Sequence, residues 1–306
     1  MSNLSNSSVL KLTIRLLLGV FFIGTAVLKL LSIDSFEVYI YSFGIVNYVT
    51  VTFLSRLLVS IELLIGIGFI FKICFRQIWW LMMLMMAGFT IFLIYAAIFR
   101  NDSNCHCFGD LIELNPTQSV FKNSITIALL LIIRKEQSHD YMPVLKKWLV
   151  GVSIAISIII PFVLVPMDVV YNRVYSEKEN VNTVAFYESI SDSAFADLQH
   201  GRYLINYALA GCKFCRIGAE KVTMMIDRHG ISHEKLKFFI GGSDEAIARF
   251  IELTGTSDYE HWKIPAPEFM AITYGMFPLY VFIEDGKVVK AGDFRIIDDG
   301  FLMEFF

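Results

Sequence analysis

The chain has 306 residues, of which 56% are apolar and 18% charged. A soluble globular protein rarely shows that balance, whereas a membrane protein carrying a soluble module does. A net charge of −3 argues against a nucleic-acid partner, and the five cysteines fall as two close pairs (Cys105/Cys107 and Cys212/Cys215) plus Cys74, a pattern of redox or metal chemistry rather than of a disulfide scaffold.

Residues 1–8 are small and polar and read as a loose tail. Val9–Leu31 is apolar for about 23 residues, enough to cross roughly 30 Å of hydrocarbon. That run is too long for the apolar stretch of a cleaved signal peptide and lacks a small-x-small cleavage site, so it is read as a first span. Val49–Phe71 and Ile78–Phe99 are the second and third. Asn115-Pro116 has the form of an N-cap followed by proline at the first helical position, so a fourth span starts there and runs to about Ile133. Leu149–Val170 is the fifth, with a kink expected near Pro161 and fraying at Pro166.

From about Asn180 the composition changes to a soluble α/β mixture. Arg202–Ala210 reads as a strand running into Cys212-Lys213-Phe214-Cys215, and Arg216–His229 as a helix stopped by Gly230. Lys235–Ile240 is a strand, Asp244–Leu253 a helix, and Leu279–Ile283 and Val288–Ala291 a hairpin turned at Glu284-Asp285-Gly286-Lys287.

Basic residues give the orientation. The second-to-third connection carries Lys72 and Arg76, and the fourth-to-fifth carries Arg134, Lys135, Lys146 and Lys147. The opposite loops carry only Arg100, among Asp34, Glu37, Asp102, Asp110 and Glu113. That asymmetry puts the basic loops in the cytoplasm. The Cys105/Cys107 loop then lies outside, and five spans put everything after Val170 outside as well. Both dithiols are expected on one side of the bilayer.

Two thiols separated by one residue form a small, strained ring when oxidised, which suits Cys105 and Cys107 to exchange. His106 between them reads either as an aid to thiolate formation or as a solvated loop residue. Cys212 is expected at a helix N-terminus, where unpaired amides, the helix dipole and the neighbouring Lys213 and Arg216 favour a thiolate. Half of a zinc site is the competing reading for this pair, but a second CxxC or CxxH at ligand spacing is missing from the sequence.

Arg15, Arg56 and Glu62 fall inside spans, where an unpaired charge costs several kcal/mol. Arg15 and Glu62 are expected toward the inner end of the bundle, close enough to pair; a structural ion pair is favoured over a proton or quinone role. Met82, Met83, Met85 and Met86 lie deep in a span on successive helix faces and are read as gap-filling rather than as copper ligands. Cys74, alone near the cytoplasmic end of the second span, reads as an inert apolar filler.

The segment 181–306 resembles the thioredoxin superfamily, on CKFC at the strand-to-helix junction and Phe277-Pro278 before the next strand. The resemblance implies that Cys212 attacks, that Cys215 resolves the mixed disulfide, and that Pro278 is cis and lies against the pair. Gly211 stands where many members have Trp, and Asn206 where a buried Asp often manages protons. The first four spans resemble the DoxX/MauE family of redox-associated membrane proteins, on Arg15, the Gly24–Lys29 stretch GTAVLK, Glu62 within IELLIG, and the CHCFGD loop. Members are linked to maturation of periplasmic disulfide-containing enzymes, and some to quinone-linked oxidation.

The expected architecture is an α-helical membrane bundle (residues 1–137), a fifth span and linker (138–180) and an α/β thioredoxin-like domain (181–306). The expected function is thiol–disulfide exchange between Cys105/Cys107, Cys212/Cys215 and periplasmic client proteins, at a bacterial inner membrane. A lipid quinone is the natural electron sink, with Arg15 and Glu62 the residues to examine for it. The alternatives are a Cu(I)- or Zn-handling protein using both cysteine pairs as ligands, and a passive membrane anchor for a catalytic head.

Overall fold

The computed structural model of the chain describes residues 2–100, 102–134, 143–175, 181–191 and 193–306. The boundaries expected after residues 137 and 180 lie outside the described residues. Two compact units are formed, Met1–Tyr39 with Thr52–Pro166 and Ile40–Val51 with Met167–Phe306.

The first unit is helical: α1 (Ser2–Leu31), α2 (Ile33–Tyr41), α3 (Tyr48–Ile70), α4 (Phe75–Phe99), a four-residue strand β1 (Cys107–Asp110), α5 (Pro116–Ile133) and α6 (Pro143–Leu164). Five stretches among the described residues are long and apolar enough to cross a membrane: Ser8–Leu31, Tyr48–Ile70, Phe75–Phe99, Pro116–Ile133 and Lys147–Leu164. The fourth span begins as the sequence indicates. Asn115 Oδ1 accepts from the Gln118 amide while Gln118 Oε1 accepts from the Asn115 amide, a reciprocal cap at a helix whose first residue is proline. The core of α1, α3, α4 and α5 gathers Phe22, Phe69, Trp79, Met82, Met86 and Leu130, with Met83 and Met85 packed at its edge.

Three expectations for this unit are corrected. The segment 1–8, read as a loose tail, is helical from Ser2 as the start of α1. The fifth span ends at Leu164 rather than Val170. Pro161 is held inside α6, but the position before Pro166 is pushed away from helical geometry, and a separate helix α7 (Asp168–Tyr175) begins beyond it. Arg15 does not pair with Glu62. Its Nη1 donates to the carbonyls of Phe69 and Ile70, capping the last turn of α3, whereas Glu62 binds Lys29 Nζ at 2.7 and 3.0 Å. Seven residues separate Glu62 from Phe69, about 10 Å of helix rise. An arginine at one end of that interval therefore leaves the carboxylate to a different part of α1.

In the second unit, α7 and α8 (Thr183–Ser189) precede β2 (Arg202–Leu209), α9 (Lys213–His229), β3 (Leu236–Gly241), α10 (Asp244–Thr254), β4 (Glu260–Lys263), α11 (Ala266–Thr273), β5 (Leu279–Glu284), β6 (Lys287–Gly292) and α12 (Asp299–Phe305). The sheet order is β4-β3-β2-β5-β6. β3 runs parallel to β2 and β4, while β5 is antiparallel to β2 and β6. One face packs Ile205, Tyr207, Leu279, Val281 and Ile283 on Phe186 of α8 and Phe269 and Ile272 of α11. The other face carries α9 and α12, with Tyr280 against Gly218 and Phe282 against Phe301 and Phe305. A CxxC leaving the central strand of such a mixed sheet, with α9 on its face, is the thioredoxin-like arrangement.

Candidate functional site

Each unit holds one cysteine pair, and the five cysteines are free thiols. In the second unit, β2 ends at Leu209, and Cys212 is the N-cap of α9, with φ −81° and ψ 123°. Its sulfur accepts the Cys215 amide at 3.2 Å. This is the local rule for a helix start put to chemical use, since the atom that satisfies an orphan amide is a thiolate-forming sulfur. Cys212 is half-buried, while Cys215 is fully buried one turn on.

The Cys212 thiol is pulled down to about 6, first by the hydrogen bond from the Cys215 thiol, with further help from the Cys215 and Phe214 amides and the Arg216 charge against the opposing effect of burial. Burial, and then the same hydrogen bond, push Cys215 up. One sulfur therefore favours the thiolate and the other is held protonated behind it.

The Phe277–Pro278 peptide is cis. The β2–β5 register sets Tyr207 opposite Leu279. The end of β2 that leads to Cys212 and the start of β5 that follows Pro278 thus lie at one end of the sheet. Phe214 between the cysteines and Phe277 before the cis peptide are both exposed, an apolar fringe on either side of this end.

In the first unit, the Cys105/Cys107 loop is seated on α1 and α2. Gly109 has φ +64°, and a Cβ there would come within 2.0 Å of Ser32 Oγ and 2.6 Å of the Leu28 carbonyl, so only glycine allows the approach. Ser32 Oγ accepts the Asp110 amide at 3.2 Å, and Asp110 Oδ2 accepts from Ser35 at 2.7 Å. His106 is in the left-handed region, and its Nδ1 meets Asp110 Oδ1 at 2.9 Å, so the ring is tied to a carboxylate rather than loose in solvent. Phe108 packs edge-on against Phe21, with Lys122 Nζ 4.6 Å from its ring centre.

The two thiols of this loop are largely shielded. Cys105 is only 2% exposed, because its amide is fixed to the Leu114 carbonyl at 2.8 Å and its sulfur lies 3.0 Å from Ser119 Oγ. Cys107 is half-buried. The electronic arrangement nevertheless matches that of the other pair. The Cys107 amide donates to Cys105 Sγ at 3.4 Å. The Cys107 thiol, then Ser119, the Cys107 amide and the Lys122 charge bring Cys105 down to about 6 against burial, and Cys107 is pushed up by the bond it donates and by burial.

The two residues considered for a quinone both lie in the helical unit. Arg15 Nη1 donates to backbone carbonyls and Glu62 pairs with Lys29. Among the described residues no group of three or more His, Cys, Asp and Glu is arranged to hold a metal ion. Cys74 is half-buried at the start of α4, with φ 46°.

Sequence reasoning passed over Glu37, read only as a loop acid. Fully buried on α2, it pairs with Arg56 of α3, whose Nε and Nη2 donate to the Val165 and Pro166 carbonyls at 2.9 and 3.0 Å. The one available signal was an arginine inside a span, which demands a carboxylate somewhere.

The paired thiols give a pH prediction. The rate of Cys212 alkylation, followed site by site by mass spectrometry, should rise with pH around a midpoint near 6 and level off by neutrality. A midpoint near the ordinary value of 9 would show that Cys215 does not donate to it. A depressed thiol binds fewer protons in the folded state than in the unfolded one. Through Cys212 the reduced domain therefore gains stability as pH rises from about 6 to 9 and loses it as pH falls through 6.

Residues 7–134 match the family model described as methylamine utilisation protein MauE. The chain is also similar to Protein TlpB of Flavobacterium psychrophilum, with 26% identity over 305 residues, covering 81% of this chain and 81% of the relative. No solved structure matches the chain significantly. Helices α1 to α5 with the Cys105/Cys107 loop are thus a MauE-like membrane domain, followed in the same chain by a thioredoxin-like α/β domain.

Proposed function

We propose that this protein is a membrane-anchored thiol–disulfide oxidoreductase. The observation that carries the reading is Cys212 as the cap of α9, half-buried, with its sulfur accepting the Cys215 amide and Cys215 buried behind it. Cys212 attacks a client disulfide and expels one client sulfur as the leaving thiolate. Cys215 then attacks Cys212 and releases the other client sulfur, leaving Cys212–Cys215 oxidised and the client reduced; the reverse sequence oxidises a dithiol client. Pro278 lies beside the mixed disulfide and orients the client backbone.

Cys105/Cys107 is the second dithiol, exchanging with Cys212/Cys215 on the outer side of a bacterial inner membrane, where the clients are periplasmic proteins with thiols or disulfides. The basic-residue asymmetry and the five-span count support this placement. The quinone pool is the class of acceptor such a pair calls for, and no residue of this chain is assigned to it.

Trapping tests the assignment of roles. Cys215→Ser should accumulate mixed disulfides with client proteins, because attack proceeds and resolution does not. Cys212→Ser should accumulate none. Equal trapping by the two variants, read on non-reducing gels, would reverse or remove the roles.

A further inference from the structure

The two sulfurs of the Cys105/Cys107 loop are not equivalent. Cys105 is 2% exposed and Cys107 half-buried, so a thiol that approaches the seated loop meets Cys107 first. The buried sulfur is also the one with donors around it. The Cys107 amide donates to Cys105 Sγ at 3.4 Å, and Ser119 Oγ, fully buried in the first turn of α5, stands 3.0 Å from it.

Between a thiol and a hydroxyl either group can donate, but a thiolate has no proton to give. Once Cys105 is ionised, the Ser119 hydroxyl is the donor. A hydrogen bond to an ionised acceptor is stronger than one to a neutral acceptor, so both donors favour the thiolate over the thiol.

This seat is fixed before any chemistry. The Cys105 amide is held by the Leu114 carbonyl at 2.8 Å and the His106 amide by Asn104 Oδ1 at 2.9 Å. Asn104 Nδ2 donates to the Gly109 carbonyl at 3.3 Å, and the Gly109 amide to the His106 carbonyl at 3.1 Å. Ser119 is carried by the capped start of α5, its amide on the Asn115 carbonyl at 3.1 Å. Donors held in this way need no rearrangement when negative charge arrives. Lys122 on α5 and Lys29 on α1 add positive charge toward the pair.

We propose that the oxidised loop is a disulfide of fixed polarity: an incoming thiolate attacks Cys107, and Cys105 leaves as a thiolate into the seat made by Ser119 and the Cys107 amide. The step balances. R–S⁻ and Cys105–S–S–Cys107 become R–S–S–Cys107 and Cys105–S⁻, and the electron pair of the broken bond stays on Cys105. The return path runs through the same mixed disulfide, with Cys105 as the resolving sulfur. Ser119 is a catalytic residue of this step, because its hydroxyl touches the departing sulfur. The order is opposite to that of the other pair, where the first cysteine of the motif takes the partner.

The inference rests on thiol exchange at Cys105/Cys107, so the test separates the two. In full-length protein in detergent, with Cys74, Cys212 and Cys215 changed to Ser, diamide takes two electrons from the pair and closes Cys105–Cys107. Glutathione is then added and the reaction stopped in acid within the first turnover. Tandem mass spectrometry should place glutathione on Cys107 at least about tenfold more often than on Cys105. Ser119→Ala should slow this reduction at least about threefold, because a leaving thiol that binds its proton more tightly departs more slowly. In the reduced variant the midpoint of Cys105 alkylation should climb above about 6. Its rate at full ionisation should stay within about threefold of the parent, whereas a loosened loop would raise it.

Glutathione on Cys105 as often as on Cys107 overturns the polarity. A Ser119→Ala protein that is reduced as fast as the parent, keeps its Cys105 midpoint, or opens Cys105 to the reagent overturns the seat. If diamide closes no Cys105–Cys107 bond, exchange at this loop fails as a reading, and the polarity with it.

Discussion

Glu37→Ala should cost the protein about 3–5 kcal/mol of stability, the loss expected when one partner of a buried ion pair is removed and the other is left without its counter-charge. The remaining partner is Arg56, 1% exposed. Its hydrogen bonds to the Thr52, Val165 and Pro166 carbonyls would survive, but carbonyl dipoles do not cancel a full charge. Ser55 Oγ, which donates to Glu37 at 2.8 Å, would be left with the Thr52 carbonyl at 3.0 Å. Arg56 closes the C-terminal end of α6 at Val165 and Pro166, so the effect reaches beyond α2 and α3. Glu37→Gln, which keeps an acceptor oxygen and loses the charge, should fall between Ala and the parent. Glu37→Leu with Arg56→Met should recover part of the loss, limited by the α6 carbonyls left uncapped. Thermal unfolding in detergent decides the matter: a Glu37→Ala loss below about 1 kcal/mol, the scale of an exposed ion pair, would mean that Arg56 does not depend on Glu37.

That dependence was hidden in the sequence for a physical reason. The spans and the CKFC junction are local patterns. Long apolar runs, a proline after an asparagine, and a strand running into a helix each depend only on neighbours, and all of these appear in the structure. Glu37 sits on α2, a nine-residue helix whose acids look like those of a loop, and its partner is nineteen residues away on another helix. The same holds for Lys29 with Glu62: the in-span charges were visible, but which carboxylate meets which cation depends on helix packing. β4 escaped notice because Glu260–Lys263 is a half-polar edge strand with no apolar run to mark it. Lys221 is concealed differently. Its position on α9 looks like part of a polar face, yet it is fully buried against Asp168 and the Tyr48 ring. Asn206 was legible as a departure from the thioredoxin pattern, whereas Tyr280 opposite it emerged only with the sheet register.

Gly109→Ala should detach the Cys105/Cys107 loop from α1, with the largest effect on chemistry of any change outside the cysteines themselves. Two costs add. A non-glycine residue at φ +64° gives up about 1–2 kcal/mol, and its Cβ would stand 2.0 Å from Ser32 Oγ and 2.6 Å from the Leu28 carbonyl. The Ser32 side chain can rotate away, but only by giving up the Asp110 amide. The Leu28 carbonyl belongs to the α1 backbone and does not yield, so the loop must lift. Lifting breaks the tie from Ser32 to Asp110 and disturbs the seat of Cys105 between Leu114 and Ser119. The buried thiol should then become accessible while losing the donors that favour its thiolate. Two readouts should therefore move in opposite senses. At pH 9, where the thiol is at least about half ionised in either protein, Cys105 alkylation should speed up at least about tenfold. Its midpoint should meanwhile climb from about 6 toward the ordinary 9. Cys212, in the other compact unit, serves as the internal control and should keep its rate and midpoint. If Cys105 in Gly109→Ala keeps both its slow alkylation and its low midpoint, the close approach of this loop to α1 does not set the reactivity of the pair.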